Sequence, residues 1–214
     1  MKKKCLVLGG ADTEYHRFTE YRDTLSGLVS DAGAEAVCSE DCDALLAGNL
    51  RDFDCVVCCC SERILHPDQE KGLLASIAGL DPGRTGEPKS FIGIHSASAT
   101  FLNSDAYARM LGARFLSHPP QGDFLVSCLH DELTAGMADF RINDELYLME
   151  YYPPFTALLQ TEYQGFTMPL AWKKLYGRGR VFYLAAGHGH EQVSSPSVKK
   201  ISSNALKWAL TGLR

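Results

Sequence analysis

Residues 91–101, with the sequence FIGIHSASATF, limit the possible folds of this chain more than any other stretch. They begin with an apolar run, residues 91–94, and change abruptly to small and polar residues from His95 to Ala99. A short continuous apolar run is typical of a strand that is buried on both faces, as in parallel sheets. A tight strand-to-helix turn after such a strand lifts one side chain above the carboxyl edge of the sheet, where open α/β folds bind ligands. The sequence therefore predicts that His95 is lifted into an exposed position in a site at that edge.

The residues before this stretch alternate between strand-like and helix-like patterns. Strand-like runs occur at residues 4–10, 34–38 and 54–60, and helical spacing begins near Arg17 and at Pro67. An order of this kind gives parallel strands joined by right-handed crossovers. We predict an α/β fold with three layers, flavodoxin-like, in which helices cover both faces of a mostly parallel central sheet.

The second half of the chain has a different pattern. Residues 121–165 contain three strand-like runs with no long helix between them, which predicts a short antiparallel or mixed extension. These strands either continue the main sheet or form a flap over the site. A hairpin is predicted around residues 177–179, and a last helix should run from Pro196 to Gly212. Since no linker or repeat interrupts the chain, we predict a single domain over residues 1–214.

Composition limits the partners and the compartment. The chain has 26 acidic against 21 basic residues, a net charge of −5, which argues against nucleic acid or an anionic membrane as a partner. Four of its eight cysteines lie in the strand-like run at residues 54–60, where successive side chains alternate between faces and cannot form one metal-binding face. We expect reduced, structural thiols and a cytoplasmic protein, because neither a signal-peptide pattern nor a membrane-spanning segment is present.

Four of the seven histidines follow or adjoin predicted strand ends: His16, His95, His118 and His188. His188 comes directly after the last predicted strand and should therefore emerge at the same sheet edge as His95. Convergence of His16, His95 and His188 would provide ligands for a divalent metal such as Zn²⁺. The spacing matches no metal-binding motif, so the sequence leaves the presence of a metal open.

Six motifs in order along the chain resemble the ThuA-like family, named for trehalose utilisation, within the class I glutamine amidotransferase-like superfamily. The motifs are YHRF (residues 15–18), GIHSA (93–97), LGARFLSHP (111–119), DELY (144–147), PLAW (169–172) and GRGRVFYLAAGH (177–188). In glutamine amidotransferases a nucleophilic Cys occupies the position of His95, and a catalytic His lies near the place of His188. Because that Cys is absent, we expect no Cys-dependent glutaminase activity.

The resemblance implies roles for a set of site residues. We expect His95, His188 and Glu145 to be catalytic, with Glu145 as a base or as an acceptor for a sugar hydroxyl. The candidate substrate-binding residues are His16, His118, Asp144, Tyr147, Trp172 and Tyr183. Asp144 and Glu145 are adjacent at a predicted strand start, so only one of the two carboxylates should face the pocket. The three aromatic residues are at least as compatible with the core as with stacking on a sugar ring.

The resemblance implies a carbohydrate-processing enzyme of the hydrolase, lyase or isomerase type that acts on a small carbohydrate or keto-sugar. Three hypotheses stay open: metal-assisted chemistry, metal-free acid–base chemistry shared by His and Glu, and a non-catalytic sugar-binding or interaction domain. A homodimer also stays open. We expect no nucleotide cofactor, since the chain has no P-loop and Gly9-Gly10 lacks the full dinucleotide fingerprint.

Overall fold

A nine-stranded sheet forms the centre of the protein in a computed structural model that describes residues 2–10, 16–80 and 87–211. The predicted helix end at Gly212 and the motif residue Tyr15 lie outside these residues. The strands of the described chain are β1 (Lys4–Leu8), β2 (Glu35–Ser39), β3 (Cys55–Cys58), β4 (Ser90–Ile94), β5 (Ala113–Ser117), β6 (Gly122–Cys128), β7 (Phe140–Asp144), β8 (Leu148–Tyr151), β9 (Thr156–Tyr163), β10 (Phe166–Tyr176) and β11 (Gly179–Leu184).

The sheet is divided into a parallel and an antiparallel half. Its strand order is β2-β1-β3-β4-β11-β10-β9-β6-β7. Neighbouring strands from β2 to β11 are parallel, and those from β11 to β7 are antiparallel. The predicted α/β fold is confirmed, but the prediction of a mostly parallel sheet is not, because the sheet is mixed. The strands after residue 120 follow one another without crossover helices, and short connections join antiparallel strands.

The middle of the chain contributes to two sheets. β6, β7 and β9 continue the main sheet, whereas β8 pairs antiparallel with β5 in a separate two-stranded sheet. The sequence did not predict β5 or β7. Glu145 lies in the connection between β7 and β8, and His118 follows β5 directly, so this small sheet flanks two of the candidate site residues.

Helices contact both faces of the parallel half. They are α1 (Phe18–Asp31), α2 (Ala47–Leu50), α3 (Pro67–Ala78), α4 (Asp105–Leu111), α5 (His190–Ser194) and α6 (Pro196–Leu210), with 3₁₀ turns at Cys42–Leu45 and His95–Ser98. On β4, the Ser90 hydroxyl donates to the Ala209 carbonyl of α6 at 2.7 Å. The next residue, Phe91, packs on Tyr107 of α4 with ring centroids 5.9 Å apart. Since adjacent strand residues point to opposite faces, α6 and α4 lie on opposite faces of β4.

The buried hydrophobic residues of both halves belong to one core. Every residue of β3 and β4 is buried, as expected for strands covered on both faces. All eight cysteines are free thiols, and six of them are buried. Among the described residues, no helix combines the length and the apolar character that crossing a lipid bilayer requires.

Candidate functional site

The turn after β4 has the strained geometry of an elbow. His95 has φ 42°, in the left-handed region that residues other than glycine rarely adopt, and it begins the 3₁₀ turn. Side chains from the core hold this conformation in place. The Tyr183 hydroxyl donates to the His95 carbonyl at 2.8 Å, and the Ser96 hydroxyl donates to the Cys59 carbonyl at 3.0 Å. Backbone strain of this kind persists only where the surroundings enforce it, and it is common at functional sites.

His95 is not exposed, which corrects one expectation from the sequence. Only 1% of its surface is accessible, because the Tyr147 ring lies 4.0 Å away and the His16 and His188 rings lie at 5.1 and 5.4 Å. Its Nδ1 lies 2.6 Å from the Ala185 carbonyl and therefore donates a proton to it. The other nitrogen, Nε2, faces the interior of the site. His95 is thus buried, but among titratable side chains rather than in an apolar pocket.

Glu145 is the carboxylate at the centre of the site. Its Oε2 lies 3.3 Å from His95 Nε2 and 3.0 Å from His188 Nδ1, and its Oε1 lies 3.6 Å from His118 Nε2. Burial alone would raise the pKa of Glu145, but its close contacts with His188 and His95 and the charges of these rings hold it well below its usual range. The carboxylate is therefore ionised at neutral pH.

The Asp144 side chain does not face the site but binds the backbone of residues that form it. Its side chain is 0% exposed and accepts the backbone N–H groups of Gly187 at 2.7 Å, Glu145 at 2.8 Å and His188 at 3.2 Å. These bonds fix the backbone of two proposed catalytic residues. The predicted role of Asp144 in contacting the substrate does not fit its complete burial.

His16 completes the cluster from the segment just before α1. Its Nδ1 lies 3.1 Å from the Tyr21 hydroxyl and 3.3 Å from the His188 carbonyl, to which Tyr21 also donates. Burial, followed by the charges of His95 and His188, lowers the pKa of His16 to about 4. The ring is therefore neutral at neutral pH. Sequence reasoning missed Tyr21 as a site residue, because it occupies one position of the apolar stripe of its helix.

The remaining aromatic candidates divide into one at the site and two in the core. The Tyr147 ring lies between His95 and Phe115, whose ring centroid is 4.4 Å from it, and burial raises the pKa of Tyr147 well above its usual value. Trp172 and Tyr183 have no exposed surface, and their rings pack on each other at 4.6 Å. Neither has surface that a ligand in a cleft could contact. Tyr183 supports the elbow from the core through its bond to the His95 carbonyl, and Trp172 donates to the Leu111 carbonyl at 2.8 Å. The alternation of side chains along a strand does not distinguish an aromatic residue at the site from one in the core.

Four residues place possible metal-binding atoms close together. His16, His95, Glu145 and His188 each offer one ligand atom, and these atoms all lie within 4.8 Å of one another. Imidazole nitrogens and a carboxylate oxygen suit zinc and similar first-row ions. The same groups are also within reach of one another for proton transfer. His118, on the exposed side of Glu145, lies outside this set of four.

Sequence comparison identifies the family. A model of the ThuA family, described as trehalose utilisation, matches residues 4–209. The chain belongs to the ThuA family. The resemblance predicted from the six motifs is therefore confirmed. No curated protein matches the chain.

Solved structures share the fold of this ThuA-family chain. A ThuA-like protein from Parabacteroides merdae ATCC 43184 superposes with a TM-score of 0.82 at 14% identity, covering 99% of this chain and 91% of that one. A ThuA-like protein from Bacteroides uniformis ATCC 8492 gives 0.74 at 15% identity, covering 98% and 91%. A β-galactosidase from Rahnella sp. R3 gives 0.62 at 15% identity, covering 98% of this chain but 32% of that enzyme. At these identities the likeness shows the fold alone.

Proposed function

We propose that this ThuA-family protein is a carbohydrate-processing enzyme that acts on a sugar or keto-sugar by acid–base or metal-assisted chemistry. The observation that carries the proposal is the position of Glu145 Oε2, within 3.3 Å of His95 Nε2 and 3.0 Å of His188 Nδ1. An ionised carboxylate between two imidazoles can accept a proton from a substrate and exchange it with a ring nitrogen. Glutaminase chemistry is not part of the proposal, since His95 stands where a nucleophilic Cys would be needed.

The reaction that suits this arrangement is proton abstraction next to a sugar carbonyl. Glu145 would accept the proton from the carbon, and His188 would donate a proton to the developing oxyanion or to a leaving group. Elimination follows from these two steps. Isomerisation follows when Glu145 then returns its proton to the neighbouring carbon and His188 takes back a proton from the adjacent hydroxyl. His118 is exposed on the open side of Glu145 and would contact the substrate from the entrance.

Four further observations support a carbohydrate substrate and this location of the site. The family is described by trehalose utilisation, and the fold also occurs within a β-galactosidase. The strand order β2-β1-β3-β4-β11 of the parallel half supports a flavodoxin-like description, in which ligands bind outside the carboxyl ends of the strands. His95 and His188 both follow the carboxyl ends of such strands, β4 and β11.

The burial of His95 favours a second candidate, a sugar-binding domain without catalytic activity. A catalytic group must touch the reacting atoms, and a side chain that is 1% exposed does so only if the site opens. In the binding alternative, His118 and the rim around it would hold the sugar while the buried cluster stabilises the fold.

The test is a turnover assay with reducing disaccharides and with keto derivatives of disaccharides, in which products are followed by NMR. Trehalose, which has no carbonyl for this reaction, is assayed in parallel. We expect turnover by the wild-type protein and a loss of at least about 100-fold in Glu145→Gln, because the substituted amide cannot act as a base. The matched control is Glu162→Gln, whose exposed side chain on β9 accepts a hydrogen bond from Thr167. Sugar binding without turnover would select the second candidate, and neither binding nor turnover would refute the proposal.

A further inference from the structure

We propose that one divalent transition-metal ion, zinc or a similar first-row ion, binds between His16, His95, Glu145 and His188. The proposal rests on the site of the proposed function and deepens it by naming the cofactor. It goes beyond the three histidines expected from the sequence, because the carboxylate of Glu145 is assigned as the fourth ligand and His118 is excluded. Oε2, which faces His95 and His188, would be the ligand atom, and Oε1, which faces His118, would stay available to accept a proton.

The first argument is the placement of the donor atoms. Ligands around a tetrahedral ion with bonds of about 2.1 Å lie roughly 3.4 Å from one another. The distances from Glu145 Oε2 to His95 Nε2 and His188 Nδ1, 3.3 and 3.0 Å, already match this spacing. All four donor atoms lie within 4.8 Å of one another, so the longest separation has to shorten by roughly 1.4 Å on binding.

The second argument is the polarity of the atoms that face one another. His95 places Nδ1 against the Ala185 carbonyl at 2.6 Å, so Nε2 is the ring nitrogen that faces the Glu145 carboxylate, at 3.3 Å. This Nε2 is buried and has no well-aligned hydrogen-bond partner among the described residues. A cation placed between these two acceptor atoms would satisfy both of them. One divalent ion at this position would contact a ligand atom of each of the four residues.

The third argument is the set of outer hydrogen bonds. Imidazoles that bind metals usually donate their other ring nitrogen to a carbonyl, carboxylate or water, which fixes the tautomer and the ring orientation. His95 does this with the Ala185 carbonyl at 2.6 Å. His16 places Nδ1 against the Tyr21 hydroxyl and the His188 carbonyl, which leaves Nε2 as its candidate ligand atom.

His118 provides an internal comparison. It lies 3.6 Å from the other oxygen of Glu145, on the exposed side, and is not among the four residues whose donor atoms converge. An ion held by the four inner ligands should therefore survive the loss of His118. An ion attracted only by the general charge of the site should instead bind with lower affinity after any substitution near Glu145, including His118→Ala.

The experiment uses the full-length chain, purified without a His tag and stripped with a chelator. Zn²⁺, Mn²⁺ or Fe²⁺ alone is added back, and binding is measured by calorimetry, by elemental analysis and by the rise in Tm. We expect one ion per chain in the wild-type protein and in His118→Ala. The variants His16→Ala, His95→Gln and Glu145→Gln should lose at least about 100-fold in affinity, since each removes a ligand and outer-shell changes alone cost about 10–100-fold.

The result that would overturn the proposal is the absence of stoichiometric metal together with an unchanged Tm in the wild-type protein. Unchanged affinity in both His16→Ala and Glu145→Gln would also overturn it, and these two variants do not depend on changing the buried His95. If the stripped protein binds no added ion and keeps full turnover, the metal proposal fails and the proposed function stands. If the metal binds as expected but no sugar is bound or turned over, the function fails and the metal centre stands.

Discussion

At the scale of single residues, Asp144 determines where two of the proposed catalytic groups lie. One of its oxygens accepts the N–H groups of Glu145 and His188, and the other accepts that of Gly187. In Asp144→Asn, the amide nitrogen would face at least one of these N–H groups, which cannot accept a hydrogen bond. We expect the free energy of unfolding to fall by about 1.5–3 kcal/mol, the range for a lost bond to a buried charged group. Urea unfolding measures this change.

The control for this substitution is Asp139→Asn. Asp139 also accepts a backbone N–H group, that of Cys128 at 2.8 Å, but at an exposed position. Loss of this hydrogen bond should lower the free energy of unfolding by less than about 1 kcal/mol, because water replaces the bond. A positioning role for Asp144 also predicts weaker metal binding by the folded Asp144→Asn protein. If the two substitutions have equal effects on stability and neither changes metal affinity, Asp144 does not position the site.

Much of this site was predictable from the sequence because its residues follow strand ends. His95 and His188 come after apolar runs that had to form neighbouring buried strands, and the structure places their rings 5.4 Å apart. The burial of His95 was not predictable, because Tyr147 covers it from a different part of the chain. Trp172 likewise could not be placed, because a core aromatic and a ligand-facing aromatic have the same strand spacing.

At the scale of elements, α3 packs at Gly72 against the backbone just before α2, more closely than a residue with a side chain would allow. A Cβ atom added at Gly72 would overlap the Leu45 carbonyl oxygen and lie 2.6 Å from the Ala47 nitrogen. Because both contacts involve backbone, Gly72→Ala must push the helix away from the turn before α2. Overpacking of this kind typically costs about 1–3 kcal/mol. We expect a lower urea midpoint with an unchanged slope.

The matched control is Gly27→Ala in α1, where an added Cβ atom meets nothing within 4 Å. Alanine is favoured over glycine inside a helix, so this substitution should raise the stability by about 0.5–1 kcal/mol. The two alanine variants are thus expected to shift the urea midpoint in opposite directions. Shifts of the same sign would mean that the close approach of α3 does not limit residue 72.

Most elements of the first half were predictable because β1, β3 and β4 are runs of buried residues and α1 and α3 have apolar stripes. β5 and β7 were missed because neither has a continuous apolar run, and each is held as a strand by a distant partner. β5 pairs with β8, about 35 residues later, and β7 with β6. The mixed character of the sheet has the same origin, since strand pairing depends on contacts that no local pattern encodes.

At the scale of the whole molecule, β11 connects the two halves of the sheet. It pairs with parallel β4 on one side and with antiparallel β10 on the other. The hydrophobic residues of both halves also belong to one core. Breaking either half would therefore expose apolar surface of the other. We predict that the described chain unfolds as one cooperative unit, in agreement with the single domain expected from the sequence.

Two spectroscopic probes report on the two halves separately. Trp172 is fully buried on β10 in the antiparallel half, and the chain has one other tryptophan, Trp208 on α6. In Trp208→Phe, fluorescence reports only on Trp172, while far-UV circular dichroism is dominated by the helices that pack on the parallel half. If β11 couples the halves, urea unfolding should give the same midpoint with both probes, because neither half keeps a complete core without the other. A fluorescence transition at a lower urea concentration than the helical transition would show that the antiparallel half unfolds on its own, and the single-domain prediction would then be wrong.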